Sequence, residues 1–113
     1  MYHVQKSFFW AKTHFLWKKI YYLLPNLVNK FKKNNISVER LILEGNSSRE
    51  DTLEKYNLID IALDTFPWNG GTTSFELSWM CVPLLTMKGD RFISKCGESI
   101  NYNLNMKELI ADN

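Results

Sequence analysis

Leu58-Ile59-Asp60-Ile61-Ala62-Leu63 is nearly all apolar; Asp64-Thr65-Phe66-Pro67-Trp68-Asn69-Gly70-Gly71 follows it, and then Thr72-Thr73-Ser74-Phe75-Glu76. The first run reads as a strand covered on both faces, as in a parallel sheet. The second reads as a loop, because Pro67 and the Gly pair break any regular element. Thr72 or Thr73 starts a helix that the pattern carries to about Met80. In an open parallel sheet, ligands bind beyond the carboxyl ends of the strands, and 64–73 lies there. Gly70 and Gly71 let backbone approach a ligand without a Cβ in the way. Thr72, Thr73 and Ser74 add hydroxyls and the N–H groups of a helix start, which favour an anion, typically phosphate. A tight turn with an N-cap accounts for the same residues. No Lys follows the second Gly, so this is not a Walker A loop, and it is not G-x-G-x-x-G.

Outward from this segment the pattern alternates. Upstream, Leu41-Ile42-Leu43, stopped by Gly45, reads as a buried strand. Ser47 and Glu50 are spaced as a capping box, opening a helix that carries Leu53 and Tyr56 inward. Downstream, 82–87 reads as a third strand, Asp90 caps a helix through Ser99, and 106–111 reads as further helical turns. The order β-α-β-α-β-α implies parallel pairing.

The first forty residues differ from the rest. They hold eight Lys/Arg against one acid, a charge of +7, and the remainder holds six against eleven, a charge of −5. The spacing of Leu16, Ile20, Leu23 and Leu24 predicts a helix over 9–24 that Pro25 ends. Leu27, Val28 and Phe31 predict a second short helix, with Lys30, Lys32 and Lys33 on its solvated face. Basic residues among aromatics are compatible with a membrane surface or nucleic acid, but a helix packing Trp and Leu inward accounts for them more simply. Two segments result: 1–38, basic, aromatic and helical, and 39–113, an α/β half-domain.

At 113 residues the chain is long enough for one small core. Cys81 and Cys96 exclude a disulfide scaffold, and no metal-ligand spacing occurs. Cys81 has no His in reach and reads as a small buried residue. Lys12, His14, Lys18 and Lys19 interrupt the longest apolar stretch, so no transmembrane segment is expected. The compartment expected is the cytoplasm. Asp60 and Asp64 flank the second strand; one reads as an edge charge and the other as a cap of the loop, with an acid–base pair as the alternative. Glu76 sits three residues after Thr73, which fits a capping box; accepting hydrogen bonds from a ribose is its other reading.

From Asp60 to Glu76, and on through Leu77-Ser78-Trp79-Met80-Cys81-Val82-Pro83-Leu84-Leu85-Thr86, Gly89-Asp90-Arg91-Phe92 and Ser94-Lys95-Cys96-Gly97-Glu98-Ser99, the sequence resembles the donor-binding segment of the O-linked N-acetylglucosamine transferase/SPINDLY family. That resemblance implies a partial Rossmann-like three-layer α/β/α domain with a short parallel sheet, the C-terminal half of a GT-B glycosyltransferase. It implies transfer of a sugar, N-acetylglucosamine from UDP-GlcNAc being the usual donor, to Ser or Thr hydroxyls of a protein acceptor. Gly70, Gly71, Thr72, Thr73 and Ser74 would hold the donor diphosphate, and Glu76 the ribose. Asn46, Ser47 and Arg49 match a loop beside the base. No metal or other cofactor is implied, and no nucleic-acid partner.

Departures from the family pattern are Thr52 where a His is common, Lys55 and Lys95 where Arg is common, and Cys81 for a Gly. Phe8 stands at the position of a phosphate-binding Lys. A strand-sized piece after Asn26 and the acceptor-side domain have no counterpart. The expectation is therefore a donor-site fragment without turnover of its own. The alternatives are a non-catalytic remnant acting as an interaction module, or an unrelated phosphate-binding α/β protein.

Overall fold

The computed structural model describes residues 17–42 and 47–112. They fall in two compact units, one ending at Ser47 and the other running from Ser48.

In the first unit α1 spans Trp17–Lys33 and continues through Pro25, where the sequence predicted a break and two helices. Proline removes one N–H and crowds the preceding turn, which costs about 3 kcal/mol in a helix interior. The part of the predicted helix before Trp17 lies outside the described residues. Lys30, Lys32 and Lys33 occupy the last turn, where cations suit the helix dipole. Asn35, at φ 58°, then closes the helix: its N–H donates to the Lys32 carbonyl, and that of Ile36 to Phe31, both at 3.0 Å. The strand expected at 41–43 is not found at Leu41 and Ile42, which follow a 3-10 turn at Val38–Arg40; Leu43 is not described. A three-residue apolar run becomes a strand only where a partner takes its hydrogen bonds, and none of the described residues does.

The second unit begins with α2, Arg49–Tyr56. Its cap is Ser48, one residue later than expected: Ser48 Oγ accepts from the Asp51 N–H at 3.1 Å, and Thr52 Oγ1 donates to the Ser48 carbonyl at 2.8 Å. Thr52 and Tyr56, one turn apart, are the buried pair, while Leu53 is half-buried.

Three short strands follow: β1 at Ala62–Leu63, β2 at Leu84–Met87 and β3 at Ile110–Ala111. Their order is β1-β2-β3 and both pairings are parallel, with Ala62 opposite Leu84 and Thr86 opposite Ile110. The connections are helical: α3, Thr72–Trp79, between β1 and β2, and α4, Cys96–Asn103, between β2 and β3. The α/β class with a short parallel sheet is thus as expected.

Three details differ. β1 is two residues long rather than six, and it is an edge of the described sheet, with Leu58, Ile61 and Leu63 exposed. The segment after Asp90 first makes a 3-10 turn at Phe92–Ser94, braced by Ser94 Oγ donating to the Arg91 carbonyl at 2.8 Å. The last helical turns predicted shrink to a 3-10 turn at Lys107–Leu109, and the chain then becomes β3. Asn101 draws that segment in: its Nδ2 donates to the Leu84 carbonyl at 2.7 Å and to that of Leu109 at 3.4 Å.

Tyr56, Leu77, Val82, Leu84 and Ile100 form the apolar core. Polar Thr52, Asn69, Ser74, Thr86, Ser94 and Asn101 are buried as well.

Candidate functional site

Asp64 follows β1 directly, and its carboxylate organises the loop beyond the strand ends. Oδ1 accepts from the Thr65 N–H at 3.0 Å and from the Gly70 N–H at 2.8 Å. Oδ2 accepts from Thr86 Oγ1 on β2 at 2.8 Å. A carboxylate with three donors is a structural brace, which is the loop-cap reading for Asp64; Asp60 is exposed.

Asn69 is the second brace and is buried. Its N–H donates to the Ile93 carbonyl at 2.9 Å, its Nδ2 to the Thr65 carbonyl at 2.9 Å, and its Oδ1 accepts from the Gly97 N–H at 3.3 Å. The loop after β1 is thereby tied to the segment after β2. Thr65 Oγ1 donates to the Trp68 carbonyl, and the Phe66–Pro67 peptide is cis.

Three glycines are required by contact: a Cβ at Gly70 would strike Ser74 Oγ, one at Gly89 would strike the Ser94 side chain, and one at Gly97 would strike both Asp64 Oδ2 and Thr86 Oγ1. Gly71 is different: a Cβ there would meet nothing within 4 Å, so the backbone faces open space. Gly71 precedes α3, and its carbonyl accepts from the N–H groups of Ser74 at 3.0 Å and Phe75 at 3.1 Å. The N–H groups of Thr72 and Thr73 belong to the first turn and have no intrahelical acceptor. Thr72 is exposed and Thr73 half-buried. Ser74 is buried under Gly70 and supports the loop from below.

Glu76 stands one turn along α3. It does not cap the helix, whose N-cap is Gly71. Instead its Oε1 accepts from Arg49 Nε at 3.0 Å, so two residues selected from the sequence for neighbouring roles meet in space. The Glu76 side chain is only 13% exposed and that of Arg49 72%. Burial, and after it the negative charge of Glu76, raise the Tyr56 hydroxyl above its ordinary pKa. Asn46 lies outside the described residues, and Ser47, half-buried, ends the first unit.

Cys81 is exposed rather than buried, which corrects its reading as a small core residue. It takes φ 59° at the end of α3, where its N–H donates to the Ser78 carbonyl at 3.1 Å and that of Val82 to Leu77 at 2.9 Å. The turn forms in the left-handed conformation despite the Cβ.

Sequence reasoning missed Asn69, Thr86 and Gly97 as parts of the loop's support. Gly97 carried a usable signal, since a glycine inside a helical pattern is unfavourable unless something packs closely against it.

The sequence matches the family model of glycosyl transferase family 41 over residues 4–113. It is 40% identical over 63 residues to the probable UDP-N-acetylglucosamine–peptide N-acetylglucosaminyltransferase SPINDLY of Petunia hybrida, covering 56% of this chain and 7% of that protein. The SPINDLY of Arabidopsis thaliana matches to the same extent. The UDP-N-acetylglucosamine–peptide N-acetylglucosaminyltransferase of Caenorhabditis elegans is 28% identical over 79 residues, 70% of this chain and 7% of that one. Among solved structures, a mutant of the Thermobaculum terrenum O-GlcNAc transferase superposes with a TM-score of 0.72 at 36% identity, covering 77% of this chain and 17% of that one. The chain thus spans 7% of the length of each of these curated relatives.

Proposed function

The chain belongs to glycosyl transferase family 41, and on that premise we propose that its second unit is the donor half-site of a protein O-glycosyltransferase. The donor is a nucleoside diphosphate sugar, with UDP-N-acetylglucosamine first among them. Gly70, Gly71, Thr72 and Thr73 receive the diphosphate, with Ser74 supporting them from beneath. Glu76 receives the ribose hydroxyls, and Arg49 lies beside the base.

One observation carries this: Gly71 opens to solvent at the start of α3, on a loop fixed by Asp64 and Asn69, with the Glu76–Arg49 pair one turn away. In transfer, a Ser or Thr hydroxyl of the acceptor attacks the anomeric carbon while the bond from that carbon to the diphosphate breaks. Negative charge grows on the leaving diphosphate. The first-turn amides and the Thr hydroxyls receive it in this reading, since the N–H groups of a helix start favour an anion. No metal is assigned to this step. A carboxylate has two oxygens, so Glu76 can hold Arg49 and a ribose hydroxyl together.

Acceptor binding is assigned to parts of the enzyme outside these 113 residues, so they bind donor and transfer nothing alone. Transfer to a peptide by this chain would contradict that. No helix among the described residues is long and apolar enough to cross a membrane. Two free cysteines fit a reducing, cytoplasmic setting.

Titration with UDP followed by amide NMR tests the site. Shifts at Gly70, Gly71, Thr72, Thr73 and Ser74, joined by Glu76 and Arg49 and lost in Thr72→Ala with Thr73→Ala while helix content stays, are the expected result. Unchanged affinity in the double variant would remove the assignment.

A second reading, an interaction module without donor binding, draws on the exposed Leu58, Leu63, Trp79 and Phe92. It predicts no response to UDP.

A further inference from the structure

We infer that α1 lies along an anionic lipid surface, with its apolar stripe at the acyl boundary and its lysines among the headgroups. A helix turns by about 100° per residue, which sets Phe31 between Leu27 and Val28 on one face. By the same count Lys30 lies just beyond Leu27 and Lys32 just beyond Val28, while Asn26, Asn29 and Lys33 fall on the opposite face. The register carries Ile20 and Leu24 onto the same stripe. Exposure follows this division. Asn26, Asn29, Lys30, Lys32 and Lys33 are exposed, and Leu27, Val28 and Phe31 are half-buried.

Helices in proteins draw most of their stability from burying such a stripe. The second unit does this around Tyr56, 1% exposed, and Leu84, 2% exposed, whereas none of residues 25–42 is buried. Inward packing, the simpler account from the sequence, is therefore not reached there. Charge says what covers the stripe. Trp17–Lys33 holds five lysines and no acid, within a first forty residues that carry +7. A lysine at either border of an apolar stripe lays its methylene stem along the apolar surface and keeps its ammonium at headgroup level. A nucleic acid would take the lysines but leave the stripe in water. The helix is about 25 Å long, and no helix among the described residues is long and apolar enough to cross a membrane. It lies on the surface rather than through it. This contact is independent of donor binding.

Flotation of the 113-residue chain with vesicles of phosphatidylcholine, with and without phosphatidylserine, tests it. The amide spectrum checks the fold of the second unit in each variant. Binding is expected only where phosphatidylserine is present, and it should weaken as salt is raised. Lys30→Gln with Lys32→Gln keeps the stripe and the helix propensity, and should weaken binding by about tenfold to thirtyfold. Phe31→Ala keeps every charge and favours the helix, and should weaken it by about tenfold. Equal binding to both vesicles, or binding that either variant leaves unchanged, overturns the inference. So does failure to bind either vesicle. Sedimentation as a dimer would then assign the stripe to a second copy, and binding of a DNA duplex would assign the lysines to nucleic acid.

Discussion

Cys81 shows how one residue can carry strain without losing the fold. It holds φ 59° at the end of α3, a conformation that costs a residue with a Cβ roughly 1–2 kcal/mol. Its side chain is exposed, so little packing offsets that cost. Cys81→Gly should therefore stabilise the second unit by about 1 kcal/mol, less whatever the freer unfolded chain takes back; a urea midpoint that falls would refute this. Gly97 is the converse. A Cβ there runs into Asp64 Oδ2 and Thr86 Oγ1. Gly97→Ala should destabilise by about 1–3 kcal/mol even though alanine is the better helix former, and thermal unfolding would measure it. Tyr56 sets an alkaline limit. Its hydroxyl is raised above 10.0 by burial and by the charge of Glu76. Its contribution is fully present below pH about 10, where unfolded tyrosine titrates, and is lost as pH rises through the higher folded value. Stability should fall with pH in that window, and less steeply in Tyr56→Phe.

At the scale of elements, the order from α2 through α4 was legible in the sequence, and with it the loop after β1, whereas the strand read at 41–43 is not found at Leu41 and Ile42 and the helical turns read at 106–111 give way to β3. The alternation around 58–87 and the Gly pair at 70–71 located the strand ends and the start of α3, because those signals are local. Strand lengths were not legible. The six residues 58–63, apolar but for Asp60, give only a two-residue β1, because a strand extends only as far as a partner accepts its hydrogen bonds. For the same reason 106–111 carried a helical reading until Asn101 and β2 drew its end into the sheet. The cap of α2 moved by one residue because Ser47 and Ser48 are chemically equivalent in sequence, and only geometry selects Ser48. Pro25 was read as a stop although α1 passes through it, since local propensity cannot weigh the turns on either side.

For the whole molecule, the polar network is what the sequence hid. Asp64 and Asn69 bind the loop to Thr86 on β2 and to Gly97 at the start of α4, and these partners lie 22 and 28 residues away. Nothing in the local pattern announces such pairs. The family resemblance set Glu76 and Arg49 in neighbouring roles, and the structure joins them by a hydrogen bond across 27 residues. What the second unit does with that arrangement depends on whether the open edge at Gly71 accepts a nucleoside diphosphate.

The most direct measurement is the amide spectrum of the chain titrated with UDP. The account predicts dispersed resonances that shift at Gly70, Gly71, Thr72, Thr73 and Ser74, and no such shifts in Thr72→Ala with Thr73→Ala. A folded chain whose loop resonances ignore UDP would contradict the central claim.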